Sequence, residues 1–491
     1  MDETSEAHAP PARTGGVVAT LALAGTVAAI MQTLVTPLLG ELPRILDTSA
    51  SNASWVVTAT LLSAAVFTPV SGRLGDLIGK RRMLLLCCLP LLAGSVVCAV
   101  TSSVGPMVAG RGLQGVGMGV VPLGISLLRD VLPARRLSSG IALVSASMGI
   151  GAGLGLPISA AVADYVSWRA LFWGAAALAA MIGVMIWFLV PDTPAGAAGQ
   201  RFDAVGAVGL GGGLVCLLLA VSKGADWGWG SGTTLGLFAA AVLLLLAWGR
   251  WELRTREPLV DLRTTAQPRV LLTNAASVLI GFGMYAQALI IPQLLQLPEE
   301  TGYGLGQSML AMGLWMAPSG LMMMAVSPLG GMLTNARGPR FTLVSGALVV
   351  ACGYGLSMAL LGSTWGLLVV TMVINSGVGL AYGAMPALIM SAVPQSETAA
   401  ANSFNTLMRS LGTSFSAAVT GVVLAQLTTT MGGHTLPAES GFRVGLLIGC
   451  GVAVAAAGVA LTIPAPSRGA ADAADASEGG SPETAGAPTR A

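Results

Sequence analysis

The chain has 491 residues, 54% hydrophobic and only 9% charged, with a formal charge of +2 and a mean hydropathy of +0.78. A soluble domain carries about 25% charged residues, so this composition excludes a water-facing surface of ordinary size. The near-zero charge excludes the basic domain that nucleic-acid binding would require.

Residues 1–15 are polar and acidic, with no basic stretch ahead of the first apolar run. That run therefore reads as a retained span and not as a cleaved signal peptide. A bilayer-spanning helix needs about 20 mostly apolar residues, and such windows recur near 16–40, 54–73, 82–101, 105–128, 138–162, 168–190, 203–222, 232–250, 270–292, 306–330, 340–361, 365–391, 400–426 and 441–463. Residues 464–491, rich in Ala, Gly and Ser, read with 1–15 as disordered cytoplasmic tails.

Fourteen spans put both termini on one side, and the basic residues choose it. Arg13, Arg73, Lys80, Arg81, Arg82, Arg129, Arg135, Arg136, Arg201, Arg250, Arg254, Arg256, Arg263, Arg269, Arg337, Arg340, Arg468 and Arg490 fall on the predicted cytoplasmic side, and only Arg44, Arg169, Lys223 and Arg443 opposite. Eighteen against four favours termini inside. The Ala-, Gly- and Arg-rich composition suggests a bacterium, hence an inner (plasma) membrane. Six cysteines, Cys87, Cys88, Cys98, Cys216, Cys352 and Cys450, lie in apolar runs without CxxC or His-flanked spacing. They read as small packing residues, with no metal or cofactor site implied.

The chain repeats itself. Pro69-Val-Ser-Gly72-Arg-Leu-Gly-Asp76-Leu-Ile-Gly79-Lys-Arg81 ends the second span, and Pro328-Leu-Gly-Gly331-Met-Leu-Thr-Asn335-Ala-Arg-Gly338-Pro-Arg340 ends the tenth, 259 residues later. Gly115-Val-Gly117 and Gly377-Val-Gly379 echo each other more faintly. Parallel duplication of a multi-helix unit is a common plan for secondary transporters, with the substrate site at the repeat interface. The expected division is a six-helix bundle over 16–190, an inserted helix pair with a cytoplasmic connector over 191–269, and a second six-helix bundle over 270–463.

These residues carry a family likeness. Gly72-Arg-Leu-Gly-Asp76-Leu-Ile-Gly79-Lys80-Arg81-Arg82 resembles the signature loop between helices 2 and 3 of the major facilitator superfamily. Arg111-Gly-Leu-Gln114-Gly115-Val-Gly-Met-Gly119 resembles its helix-4 motif, the Gly-rich run from Gly149 to Pro157 resembles the helix-5 motif of its exporters, and Trp168-Arg-Ala-Leu-Phe-Trp173 resembles the start of helix 6. With fourteen spans, the region 16–463 is similar to the fourteen-helix drug:proton antiporter family. The resemblance implies an all-α fold of two six-helix halves plus two inserted helices. It also implies export of amphipathic small molecules by proton-coupled alternating access, in a monomer, with lipid, solute and protons as its partners.

It further implies roles for particular residues. Asp76, with Gly72, Gly79, Lys80, Arg81 and Arg82, would hold and release the cytoplasmic side, with Asn335 and Arg340 at the repeat positions. Asp76 could pair with basic residues or accept from helix N-terminal amides, while Lys80, Arg81 and Arg82 could simply fix topology. Arg111, roughly 6–9 Å inside the span, would serve proton coupling, since an arginine at that depth needs a cavity or a partner; snorkelling to the outer headgroups is the plainer alternative. Arg409 is expected near the inner end of its span, where it snorkels more easily.

Two departures stand out. Gln32 occupies the place where the family carries a helix-1 aspartate, and no acid is expected deep in a span. Glu41 is then the remaining candidate for a protonatable group facing an outward vestibule. The helix-5 run has Leu156 before Pro157 where a glycine is usual, and Ala160 and Ala161 after it. Gly115, Gly119, Gly153 and Pro157 are expected to set helix packing and gating, and Gln32, Thr36, Gln114, Asn274, Gln287, Asn375 and Asn405 to line a substrate cavity.

The departures keep open uptake or facilitated diffusion of one specific solute. A membrane-embedded enzyme or sensor would need a catalytic constellation at membrane depth. Only His8 and His434 are present, in polar segments, and no Walker-type phosphate loop occurs.

Overall fold

The computed structural model describes residues 11–38, 41–197, 199–431 and 434–464. Most of the two expected tails therefore lies outside the described residues, although helix already begins at Pro11. Fourteen of the described helices are long and apolar enough to cross a bilayer. They are α1 (Pro11–Thr33), α2 (Trp55–Ile78), α3 (Lys80–Val100), α4 (Val104–Val131), α5 (Ala134–Tyr165), α6 (Trp168–Leu189), α7 (Ala204–Trp227), α8 (Gly232–Glu252), α9 (Pro268–Gln296), α10 (Met309–Arg337), α11 (Pro339–Leu360), α12 (Thr364–Met390), α13 (Thr398–Gln426) and α14 (Glu439–Thr462). The face where α2 ends and α3 begins carries Arg81, Arg82, Arg135, Arg136 and Arg337, and is called the basic face below.

Local departures from the expected spans have local causes. The first span ends at Thr33, well before 40, because Pro37 has no N–H to continue the ladder; a 3-10 turn, Thr36–Leu38, follows. Within α4 a 3-10 turn at Gly117–Gly119 interrupts the α-helix, where closely spaced glycines weaken helical preference. Between α13 and α14 a short antiparallel hairpin, Thr428–Met431 with His434–Pro437, was not anticipated.

Side-chain burial gathers three main apolar cores among the described residues. One apolar core gathers residues of α1 to α6, among them Met31, Leu84, Leu123 and Phe172. A second gathers residues of α9 to α14, among them Ile290, Leu343, Tyr354, Leu424 and Phe442. A third, smaller core joins Leu210, Leu214 and Leu218 of α7 to Ala65 of α2, to Phe404 and Leu407 of α13, and to Leu259 and Val260 of the connector. Helix α8 leans on α7 and turns Leu243 and Leu246 outward, as a lipid-facing helix does.

The duplicated motif is visible in the backbone. Gly79 ends α2 with φ +99° and Gly338 ends α10 with φ +85°, a region that favours glycine. Seven residues earlier, each copy crosses the opposite half: Gly72 lies against Ser403 of α13, and Gly331 against Ser139 of α5.

Candidate functional site

The two halves are sealed together at the basic face. Asp76, fully buried in the last turns of α2, accepts hydrogen bonds from the Ala399 N–H (3.1 Å) and the Ala400 N–H (2.8 Å). These amides belong to the first turn of α13, where N–H groups have no intrahelical partner and the helix dipole is positive. Each such charge-assisted bond contributes roughly 1.5–3 kcal/mol, so the pair matches the few kcal/mol that separate conformers of a switching protein. Around it, Arg129 of α4 donates to Thr398 Oγ1 (2.9 Å) and the Val393 carbonyl (3.2 Å). Asn402 donates to Ser126 Oγ (3.1 Å), and Gln395 to Asp130 (3.2 Å).

The basic residues of the motif serve elsewhere. Lys80 pairs with Asp130 at 2.6 Å, leaving Asp76 to the amides. Arg81 pairs with Asp192 at 2.8 Å and lies over the Trp187 ring, and Arg82 is exposed. The second copy is not a latch: Asn335 is exposed, and Arg340 donates to the Leu461 carbonyl within its own half.

Arg111 is 1% exposed, so it does not snorkel. Its Nη1 donates to the Met31 carbonyl (2.9 Å) and to Gln114 Oε1 (2.7 Å), and its Nε to the Val56 carbonyl (3.3 Å). Gln114 passes the contact to Ser95 Oγ at 2.7 Å. One guanidinium thus ties α1, α2, α3 and α4 together. The Met31 carbonyl belongs to the last turn of α1, where a cation is favourable, which explains how the arginine is accommodated with no carboxylate partner among the described residues.

Several expected site residues are placed differently. Glu41 is an exposed loop residue paired with Arg44 at 3.8 Å and takes no part in the Arg111 network. Gln32 is the penultimate residue of α1, not a mid-helix group, and points its amide at the Met118 sulfur (3.8 Å). Thr36 lies beyond α1 in the 3-10 turn. Gln114 is committed to Arg111 and Ser95, so it is not free to line a cavity. Asn405 donates to Asn274 Oδ1 (2.8 Å) and Ser277 Oγ (2.7 Å), a buried clamp between α13 and α9. Asn274 also borders a small polar cavity of about 90 Å³ at the basic face, with Arg73, Arg256, Glu257 and Glu397. Asn375 donates to the Thr371 carbonyl of its own helix. The Gln287 side chain is buried with its Oε1 unpartnered among the described residues, while its backbone N–H meets the Tyr354 hydroxyl.

Small residues pack where helices cross. A Cβ on Gly115 would fall 2.4 Å from the Thr60 carbonyl, and on Gly119 within contact of Ser71. Gly153 faces Ala317 and Gly320, and Pro157 faces Gly313, so this stretch of α5 lies against α10 of the other half. Arg409, expected near the inner end, lies deeper, buried twelve residues along α13 with its guanidinium 4.4 Å from the Tyr382 ring centre.

Two helical bundles, packed across each other and sealed at one face around polar groups, are the arrangement of a membrane transporter. The Major Facilitator Superfamily profile matches residues 21–417 and 276–485, and the chain belongs to that family. It is 28% identical to the tetracenomycin C resistance and export protein of Streptomyces glaucescens over 397 residues, covering 77% of this chain and 70% of that one. It is 25% identical to the multidrug transporter protein MdtP of Bacillus subtilis (76% and 69% covered) and 25% identical to the probable actinorhodin transporter of Streptomyces coelicolor (76% and 66%). In fold it matches the human organic anion transporter MFSD10 (TM-score 0.64, 15% identity, 92% of this chain and 100% of that one). It also matches the proton:xylose symporter XylE (0.61, 14%, 92% and 96%).

Proposed function

We propose that the chain is a secondary active exporter of amphipathic small molecules (drugs, antibiotics or secondary metabolites), driven by protons and working by alternating access as a monomer in a bacterial plasma membrane. The observation that carries this reading is the Asp76 seal between α2 and α13. With the basic face cytoplasmic, as the positive-inside rule directs, the seal closes the molecule toward the cytoplasm. Neutralising Asp76 weakens its bonds to the α13 amides and favours opening to that side, the state that takes up a cytoplasmic solute. Arg111 stays charged throughout and acts as a fixed brace. A relative named as an antibiotic resistance and export protein supports the direction, and one named as a multidrug transporter supports the class of solute.

The test is accumulation of lipophilic dyes and antibiotics in efflux-deficient bacteria expressing wild type or Asp76→Ala at matched levels, with and without a protonophore. Lower accumulation in wild type, lost with either treatment, is expected. Accumulation equal to empty-vector cells across the panel would overturn multidrug export. Uptake or facilitated diffusion of one solute is the second reading, favoured by the absence, among the described residues, of a carboxylate beside Arg111; protonophore-insensitive transport would decide for it.

A further inference from the structure

Five basic residues among those described are buried: Arg73, Lys80, Arg111, Lys223 and Arg409. Four of them have polar partners. Arg73 donates to Gln200, Lys80 pairs with Asp130, Arg111 has two carbonyls and Gln114, and Lys223 pairs with Asp226. Arg409 makes no hydrogen bond or ion pair among the described residues; its single contact of note is the face of Tyr382. None of its guanidinium nitrogens is among the sealed, unpartnered polar atoms, so they open onto free space.

The surroundings are built to admit that side chain. Arg409 lies roughly 17 Å along α13 at 1.5 Å per residue, near mid-depth of a 29-residue helix. On α9, Gly281 leaves the room it needs: a Cβ there would fall 3.0 Å from Arg409 Cγ and 2.3 Å from its carbonyl. Tyr382 of α12 is fixed beneath the guanidinium by its hydroxyl, which meets Met284 of α9 at 2.8 Å. A cation over an aromatic face is stabilised by the ring, but the ring accepts none of its in-plane N–H donors. Those donors form a planar fork whose natural complement is a carboxylate or a similar delocalised anion.

The wider field agrees. Among the described residues, the buried carboxylates of the spanning helices, Asp76 and Glu252, sit in the last turns of α2 and α8, whereas Arg111 and Arg409 lie in helix interiors. A cation brought to mid-depth meets like charge; an anion meets an unneutralised guanidinium.

We infer that Arg409 is the anion-recognising residue of the transport site, binding the carboxylate, phenolate or enolate of an amphipathic aromatic solute whose apolar body rests near Tyr382 and Met284. Calling the bound molecule a substrate rests on the export reading above; the binding itself does not. The experiment compares two xanthene dyes of the same skeleton, anionic carboxyfluorescein and cationic rhodamine 123, binding to purified full-length protein in lipid nanodiscs by fluorescence anisotropy. Wild type is expected to bind the anion at least tenfold more tightly than the cation. Arg409→Gln should weaken anion binding at least tenfold and leave the cation unchanged, and Arg409→Lys should lose less. Equal or tighter binding of rhodamine by wild type would overturn the inference, as would full-strength anion binding by the Gln variant. If the Gln variant aggregates, the wild-type preference and the Lys variant still decide. Cells loaded with carboxyfluorescein diacetate separate the two readings: anion-selective binding without export sinks the export reading and leaves the site standing.

Discussion

Arg111 shows how a buried charge is kept without a counter-charge. Its three acceptors come from the ends of α1 and α2 and from its own helix, and hydrogen bonds to a charged donor contribute roughly 1.5–3 kcal/mol each against a burial cost of several. Lysine at this position is a point donor that cannot span all three acceptors. Arg111→Lys should therefore lower the thermal midpoint measured by fluorescence-detected gel filtration and cut dye efflux about tenfold. Gln114→Leu, which removes one acceptor and its tie to Ser95, should do the same more weakly. Unchanged efflux in Arg111→Lys would show that charge alone is used. Arg111 was legible in the sequence because an arginine inside an apolar run demands a partner. The partners themselves were not, since backbone carbonyls carry no residue signature. The same blindness hid the surroundings of Glu41, whose exposed side chain pairs with Arg44.

At the scale of helices, the motif is a duplicated crossing with a hydrogen-bonded carboxylate on one copy. Gly72 and Gly331 bring α2 against α13 and α10 against α5, but only the first crossing carries a carboxylate at the N-terminus of the facing helix. Asp76→Asn keeps the shape and loses the charge, which costs about 1–3 kcal/mol. Ser403→Cys in a cysteine-free background, labelled from the basic face, should then react roughly tenfold faster in the Asn variant than in its parent. Equal rates would remove Asp76 from the gate. Asn335→Asp, placing a carboxylate on an exposed site, should change the same rate less than twofold. Gly72→Leu should act in the direction of opening and more strongly, because its Cβ would fall 2.6 Å from the Ala399 carbonyl, a backbone atom that cannot step aside. The repeat was readable because the glycines recur at a constant offset. The asymmetry was half-readable, as Asp against Asn, but its consequence depended on which helix start each side chain meets, and that is a property of the crossing.

For the whole molecule, the question is what the inserted pair does at the seam. Helix α7 is fastened to the first half by polar contacts: Thr58 of α2 meets Ser222 at 3.3 Å, and Lys223 reaches Ser54 and lies 5.3 Å from the Trp55 ring centre. Its contacts with α13 are apolar, through Leu210, Leu214 and Leu218 toward Phe404 and Leu407. In a bilayer, apolar surfaces gain little by leaving lipid, so such contacts hold by packing alone and slide more readily than hydrogen-bonded ones. Helix α7 should therefore travel with the first half while α13 moves past it. Two cysteine pairs bridged by one short bifunctional thiosulfonate test this directly. Bridging Thr58→Cys to Ser222→Cys joins parts of one moving body and should leave at least half of the dye efflux intact. Bridging Ser126→Cys to Asn402→Cys, across the seal where these side chains meet at 3.1 Å, should arrest efflux and release it on reduction. Arrest by both bridges would mean that α7 moves relative to α2 during turnover, and that the inserted pair is a third moving part between the two halves.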